Sequence, residues 1–157
     1  MTKEEFYAKI VETLGQNIIN VEKLKGWSPL VIFDGECGFC NKCVYWLWKL
    51  DRAGILYFVR ASSNLGRRIL YFFQPYEKAE DSVFFIYKGN IYSKSQAVIR
   101  VLELLQVPMA GIGWWIPPFF RDFLYDCIAS SRYYLINNNS TACNLEYMHA
   151  FANRLLD

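Results

Sequence analysis

Between Glu4 and Leu24 the apolar residues Phe6, Ile10, Val11, Leu14, Ile18 and Val21 recur three, four or seven positions apart, which is the spacing of one helical face. This predicts an N-terminal arm of one or two amphipathic helices. Trp27-Ser28-Pro29 breaks the pattern, and Leu30-Val31-Ile32-Phe33 reads as a short buried strand because it is continuous, largely β-branched and bounded by Pro29 and by Asp34-Gly35. Asn41 to Arg52 reads as a helix with Val44, Leu47, Trp48 and Leu50 on its apolar side, Lys42 and Lys49 in solvent, and Gly54 where a helix C-terminus favours glycine. A second buried strand follows at 55–60, then a helix over 65–73 that stops ahead of Pro75. The runs 82–87 and 91–93 flank Lys88-Gly89-Asn90 and predict a hairpin. Ser95 to Leu105 is strongly helical in period, with Ala97, Val98, Val101, Leu102 and Leu105 on one side. After the Gly- and Pro-rich aromatic stretch "GWWIPPFF", a further helix is expected over 119–134 with Phe123, Leu124, Cys127 and Ile128 inward, and a last short one over 145–155.

The order strand, helix, strand, helix, hairpin, helix decides the topology. Helical crossovers join parallel strands and a tight Gly turn joins antiparallel ones, so the expected product is α/β, a mixed sheet of about four strands between helices. A Cys-x-x-Cys at the end of the first strand and the start of its helix makes that order thioredoxin-like. The division expected within this single globular unit is a helical arm over 1–27, the thioredoxin-like part with its C-terminal helix over 28–136, and a helical tail over 137–157.

The 157 residues make about one domain, able to bury most of its apolar surface. A composition 54% hydrophobic and 18% aromatic with a net charge of +2 excludes disorder and gives no electrostatic case for nucleic acid. The opening residues carry acids and amphipathic spacing, unlike a signal peptide, and "MAGIGWWIPPFF" is too short and too broken to cross a bilayer as a helix. The expectation is a cytoplasmic protein with no transmembrane segment. Five cysteines in a reducing compartment point to redox or metal chemistry more than to structural disulfides.

Cys37, in the turn before a helix, faces unsatisfied backbone N–H groups and the positive end of the helix dipole, both of which stabilise a thiolate, the attacking species in disulfide exchange. Cys40 is then the resolving thiol. Asp34, the nearest ionisable group, either transfers a proton to or from a thiol or, with Gly35, simply makes the turn. Cys43 extends the series to Cys-x2-Cys-x2-Cys, which resembles the start of a ferredoxin run, but Leu47-Trp48 stands where the fourth Cys and Pro are needed. Zinc would need a distant ligand from Cys127, Cys143 or His149, and only one ligand knuckle is present. Cys43 therefore reads as a small buried hydrophobe of the helix, with a second resolving thiol as the sharper alternative. No role is assigned to Cys127, Cys143 or His149.

"FDGECGFC", with the aromatic helix and Asp51-Arg52 after it, resembles the DCC family of predicted thiol-disulfide oxidoreductases. The pattern Asp-Gly-x-Cys-x-x-Cys falls on Asp34, Gly35, Cys37 and Cys40. The similarity extends through "DSVFFIYKGNIYSKSQAVIRVLELL" and into "PPFFRDFLYDCIASSRYYL", with its Arg121-Asp122, Tyr125-Asp126 and Arg132-Tyr133 pairs. It implies a thioredoxin-like fold and disulfide exchange through the Cys pair, with Arg121 and Arg132 either supporting a thiolate or fastening the C-terminal helix by an Arg-Asp and Tyr network. Cys43 lies outside the family pattern, and Asp81-Ser82 stands where thioredoxins place a cis-proline.

The function expected is exchange of disulfides with a protein or small-thiol substrate, the spent pair being reduced by an external thiol donor. No Gly-rich nucleotide loop is present, so no cofactor is assigned. Two alternatives remain open at this level: a module holding Zn or an Fe-S cluster through Cys37, Cys40 and Cys43, and a non-catalytic interaction domain whose dithiol is a switch. "GWWIPPFF" is expected to pack as an aromatic lid, the other possibility being an exposed partner surface. Oligomeric state is left open.

Overall fold

In the computed structural model the described residues are 2–15, 26–73, 82–108, 110–135 and 149–156. They form α1 (Lys3–Gly15), β1 (Leu30–Phe33), α2 (Gly38–Leu50), β2 (Tyr57–Arg60), α3 (Asn64–Phe73), β3 (Phe84–Tyr87), β4 (Asn90–Ser93), α4 (Lys94–Leu104), a 3-10 turn (Ala110–Trp115), α5 (Pro118–Leu135) and a second 3-10 turn (Ala152–Arg154). The predicted helix over 16–24, the first residues of the last helix, and Cys143 lie outside the described residues.

The sheet order is β2-β1-β3-β4. β1 runs parallel to β2 and antiparallel to β3, and β3 and β4 form the hairpin. Lys88 (φ 51°) and Gly89 (φ 81°) both occupy the left-handed region, as a two-residue turn matched to strand twist requires. This is the mixed, thioredoxin-like sheet that the element order predicts.

Strand alternation then assigns two cores. Leu30, Ile32, Tyr57, Val59, Phe84 and Ile86 face one side, against Phe6 and Ile10 of α1 and Leu65 and Ile69 of α3. Val31, Phe33, Phe58 and Phe85 face the other, against Val44 of α2, Ala97 and Val101 of α4, and Phe151. Because both faces are covered, β1 is buried at every position and reads as a continuous apolar run. The arm and the tail belong to these cores. Phe6 packs 4.9 Å from the Tyr57 ring, Phe151 sits 5.5 Å from Phe58, and the Leu156 N–H donates to Phe58 O at 2.8 Å along the outer edge of β2.

Two expectations are corrected. Helix α5 exists, but Phe123 (62% exposed), Leu124 (59%), Cys127 and Ile128 point outward. Its polar side is the docking side: the Tyr125 hydroxyl accepts from Val83 N–H at 3.0 Å, Asp126 pairs with Lys94 at 3.1 Å, and Ser95 donates to Asp122. Tethering by these specific polar groups overrides the apolar stripe. "GWWIPPFF" likewise forms no packed lid, since Trp115 (89% exposed), Phe119 (75%) and Phe120 are at the surface and only Trp114 is held, donating to Glu103 with Arg100 and Arg121 over its ring. No helix among the described residues is long and apolar enough to cross a membrane.

Helix α3 starts tight against β2. The Ser63 hydroxyl donates to Arg60 O at 2.9 Å and accepts from Gly66 N–H at 3.0 Å, capping the helix. A Cβ at Gly66 would collide with Arg60 O and lie 3.1 Å from Ala61 Cα, both backbone atoms with little room to yield. Gly66→Ala is expected to cost about 1–3 kcal/mol by overpacking. Chemical denaturation measures this, and an unchanged midpoint would show that α3 can lift off β2 without cost.

Candidate functional site

The loop between β1 and α2 is built by local bonds. Glu36 N–H donates to Asp34 Oδ1 at 3.0 Å, closing an Asx turn, and Cys37 N–H donates to Asp34 O at 3.4 Å. Cys37 is the N-cap of α2 in extended conformation (φ −84°, ψ 114°), and its Sγ accepts from Cys40 N–H at 3.4 Å. An N-cap acceptor is normally an oxygen. Here a sulfur takes that place, so the helix end that needs an acceptor is pointed at the thiol.

Three cysteines follow one another along this helix start with rising exposure. Cys37 is buried, Cys40 half-buried and Cys43 exposed, with no disulfide among them. The exposed position of Cys43 corrects the expectation that it packs in the core. Although its surface is open, atoms crowded around its sulfur desolvate it and raise its pKa; the negative charge of Cys37 raises it further and Lys42 opposes. Among the described residues no group of three His, Cys, Asp or Glu side chains is arranged to hold a metal ion.

Asn41 and Arg60 were not singled out by sequence reasoning. Asn41 is fully buried one turn after Cys37, and its Nδ2 donates to Gly35 O at 2.9 Å, tying α2 to the turn. Its signal was a polar residue on the apolar face of a predicted helix. Arg60 closes β2 opposite Phe33, and its side chain lies over Gly35, where a Cβ would come within 2.7 Å of Arg60 Cγ. Gly35 thus leaves room for the Arg60 side chain, which a Cβ there would push aside. Its signal was a charged residue ending an apolar strand.

The other residues singled out from the sequence have the following surroundings. Arg121 donates to Gly113 O at 3.4 Å and stacks 5.0 Å over Trp114, contacts that fasten the 3-10 turn to α5. Arg132 is on the last turn of α5, its side chain outside the described part of the structure. Ser82, where a thioredoxin has cis-proline, is buried beside β3, and the antiparallel pairing of Ile32 with Phe84 directs it toward the dithiol end of the sheet. No peptide bond among the described residues is cis. His149 is at the surface.

Comparison with known proteins bears on the same residues. A family model described as DCC1-like thiol-disulfide oxidoreductase matches residues 31–138, a span that holds Asp34, Gly35, Cys37 and Cys40. The chain is 29% identical over 120 residues to a chloroplastic DCC family protein of Arabidopsis thaliana, covering 74% of this chain and 69% of that one. It is 33% identical over 108 residues to the uncharacterized protein YuxK of Bacillus subtilis, covering 68% of this chain and 79% of that one. No solved structure matches the chain significantly. With the family's span laid over a thioredoxin-like sheet and a cysteine-capped helix, the chain belongs to the DCC1-like thiol-disulfide oxidoreductase family.

Proposed function

We propose that this chain exchanges disulfides with a protein or small-thiol substrate through Cys37 and Cys40. One observation carries the reading: Cys37 Sγ occupies the N-cap of α2 and accepts the Cys40 N–H at 3.4 Å. A hydrogen bond to the charged form and the positive helix end both favour thiolate over thiol. The Cys37 thiolate attacks one sulfur of a substrate disulfide, forming a mixed disulfide and releasing a substrate thiolate. Cys40 then attacks Cys37 Sγ, which frees the second substrate thiol and leaves a Cys37–Cys40 disulfide. An external thiol donor, as a reducing compartment such as the cytoplasm supplies, returns the pair to the dithiol. Asp34, half-buried three residues before Cys37, holds the turn through Oδ1, and we assign its carboxylate the transfer of a proton to the emerging thiolates.

Thiol titration across a glutathione redox series tests the pair. Two thiols are expected to disappear together, with alkylation mapping the loss to Cys37 and Cys40, and the midpoint gives the potential. Loss of one thiol at a time, each as a separate glutathione adduct, would refute a dithiol site.

A further inference from the structure

The three thiols at the start of α2 do not stand in equivalent places. Helix α2 runs from Gly38 to Leu50, so Cys40 and Cys43 both lie within it, one turn apart. Ideal helix geometry puts residues at i and i+3 about 5 Å apart between Cα atoms, inside the range of roughly 4.4–6.8 Å that a disulfide spans. Cys37 and Cys43 are six positions apart, a rise of about 9 Å along the axis, beyond what a disulfide bridges without backbone movement. The Cβ atoms of an i, i+3 pair stand about 5–6 Å apart in a regular helix, so a Cys40–Cys43 bond needs only a tightening of the first turns of α2, whereas a Cys37–Cys43 bond needs a far larger movement. Exposure rises in the same order, from buried Cys37 to exposed Cys43.

Resting on the dithiol function proposed above, we infer that Cys43 is a third exchange thiol, which takes the disulfide over from Cys37 and presents it at the surface to the reducing thiol. The step balances without an added oxidant or reductant. The Cys43 thiolate, its proton released to solvent, attacks Cys40 Sγ; the Cys40–Cys43 bond forms, the Cys37–Cys40 bond breaks, and Cys37 leaves as a thiolate. A monothiol or dithiol donor then attacks Cys43 Sγ, releasing Cys40 as a thiolate, and a second donor thiol frees Cys43.

The direction of the transfer follows from the environments of the two ends. Cys37 leaves into a position where Cys40 N–H stabilises its charge, and a well-stabilised leaving thiolate departs faster. Desolvation is the larger cause of the raised Cys43 pKa, and the charge of Cys37 adds to it. That charge vanishes when Cys37 enters a disulfide, so Cys43 becomes easier to deprotonate when there is a bond for it to attack, and is held back again once Cys37 has been released.

Trypsin supplies the readout, because cleavage after Lys42 separates Cys37 and Cys40 from Cys43. The full chain is oxidised with one equivalent of oxidised glutathione, acid-quenched, alkylated, digested and mapped by mass spectrometry. Peptide 26–42 joined to peptide 43–49, with Cys37 alkylated, is the expected product. Reduction of the oxidised protein by glutathione is expected to slow about tenfold in Cys43→Ser, as the donor must then attack within the half-buried Cys40 and buried Cys37 pair. Cys43 wholly alkylated, the disulfide confined to peptide 26–42, and an unaltered reduction rate would overturn the relay and leave the Cys37–Cys40 function standing. Absence of any Cys37–Cys40 or Cys40–Cys43 disulfide would overturn both.

Discussion

Cys37→Ser is expected to lower disulfide exchange by at least about a thousandfold, the scale on which loss of an enzyme nucleophile is felt, whereas Cys40→Ser keeps the first step and stalls at the second. Serine fits the N-cap as well as cysteine does and accepts the same N–H, so the Cys37→Ser variant should fold and bind as before. What it lacks is a group that ionises near neutral pH and attacks sulfur. Cys40→Ser leaves that group intact and removes the thiol that attacks the mixed disulfide. Incubation with a small disulfide should then add one substrate half to the protein, seen by mass and mapped to Cys37. An adduct on Cys40 in the Cys37→Ser variant, with exchange at the wild-type rate, would reverse the assignment of attacking and resolving thiols. That outcome has a structural basis worth testing, because Cys40 is the more exposed of the two. Asp34→Asn completes the set: it keeps an oxygen for Glu36 N–H and so the turn, and a slowed resolving step in this variant would assign proton transfer to the carboxylate.

The sequence made the strands and their order legible because both faces of the sheet are covered. Continuous runs such as Leu30 to Phe33 and Phe84 to Tyr87, punctuated by Pro29, Asp34-Gly35 and Gly89, have few other readings. Helix boundaries came out a few residues off, as at α2, which begins at Gly38, directly after its cap Cys37, rather than at Asn41. The helix ends at Leu50 with Asp51 as its C-cap, and Gly54, whose positive φ (72°) serves the following turn, lies beyond it. Burial was misread where it depends on tertiary tethers. Periodicity identifies the apolar stripe of α5 but cannot say that Tyr125, Asp122 and Asp126 find partners on Val83, Ser95 and Lys94 and turn the stripe outward. Within the site, the Asp34-Gly35 turn and the Cys-x-x-Cys at the start of a helix were legible from spacing. Asn41 and Arg60 were not, because what they do is approach Gly35 from a helix and from a neighbouring strand.

Asp51→Ala is expected to destabilise the fold by about 3–5 kcal/mol, the usual cost of removing one partner of a buried ion pair. The Asp51 carboxylate is almost wholly buried at the end of α2 and accepts from Ile55 N–H at 3.1 Å and Leu56 N–H at 2.8 Å, which set the approach to β2. Arg154, 21% exposed, reaches it from the C-terminal 3-10 turn at 2.6 Å. Alanine leaves two backbone donors and a partly buried guanidinium without that acceptor, and each such loss counts at the full desolvation cost of the stranded group. Domains of this size hold about 5–15 kcal/mol in all, so the variant should lose a large share of its stability and unfold roughly 10 °C lower. Denaturant unfolding followed by tryptophan fluorescence measures the loss, and a double-mutant cycle with Arg154→Ala isolates the coupling of the pair. A loss below about 1 kcal/mol would place the pair among solvent-screened surface bridges. The expected result also extends the family region. Asp51 lies within residues 31–138 and its partner beyond them, as do Phe151 and Leu156, which fill the two cores. The strand that carries Arg60 over Gly35 is also bonded along its outer edge by the C-terminal end of the chain, through Leu156 N–H to Phe58 O. Removal of that end should loosen β2 and, through Arg60, the turn on which Cys37 sits.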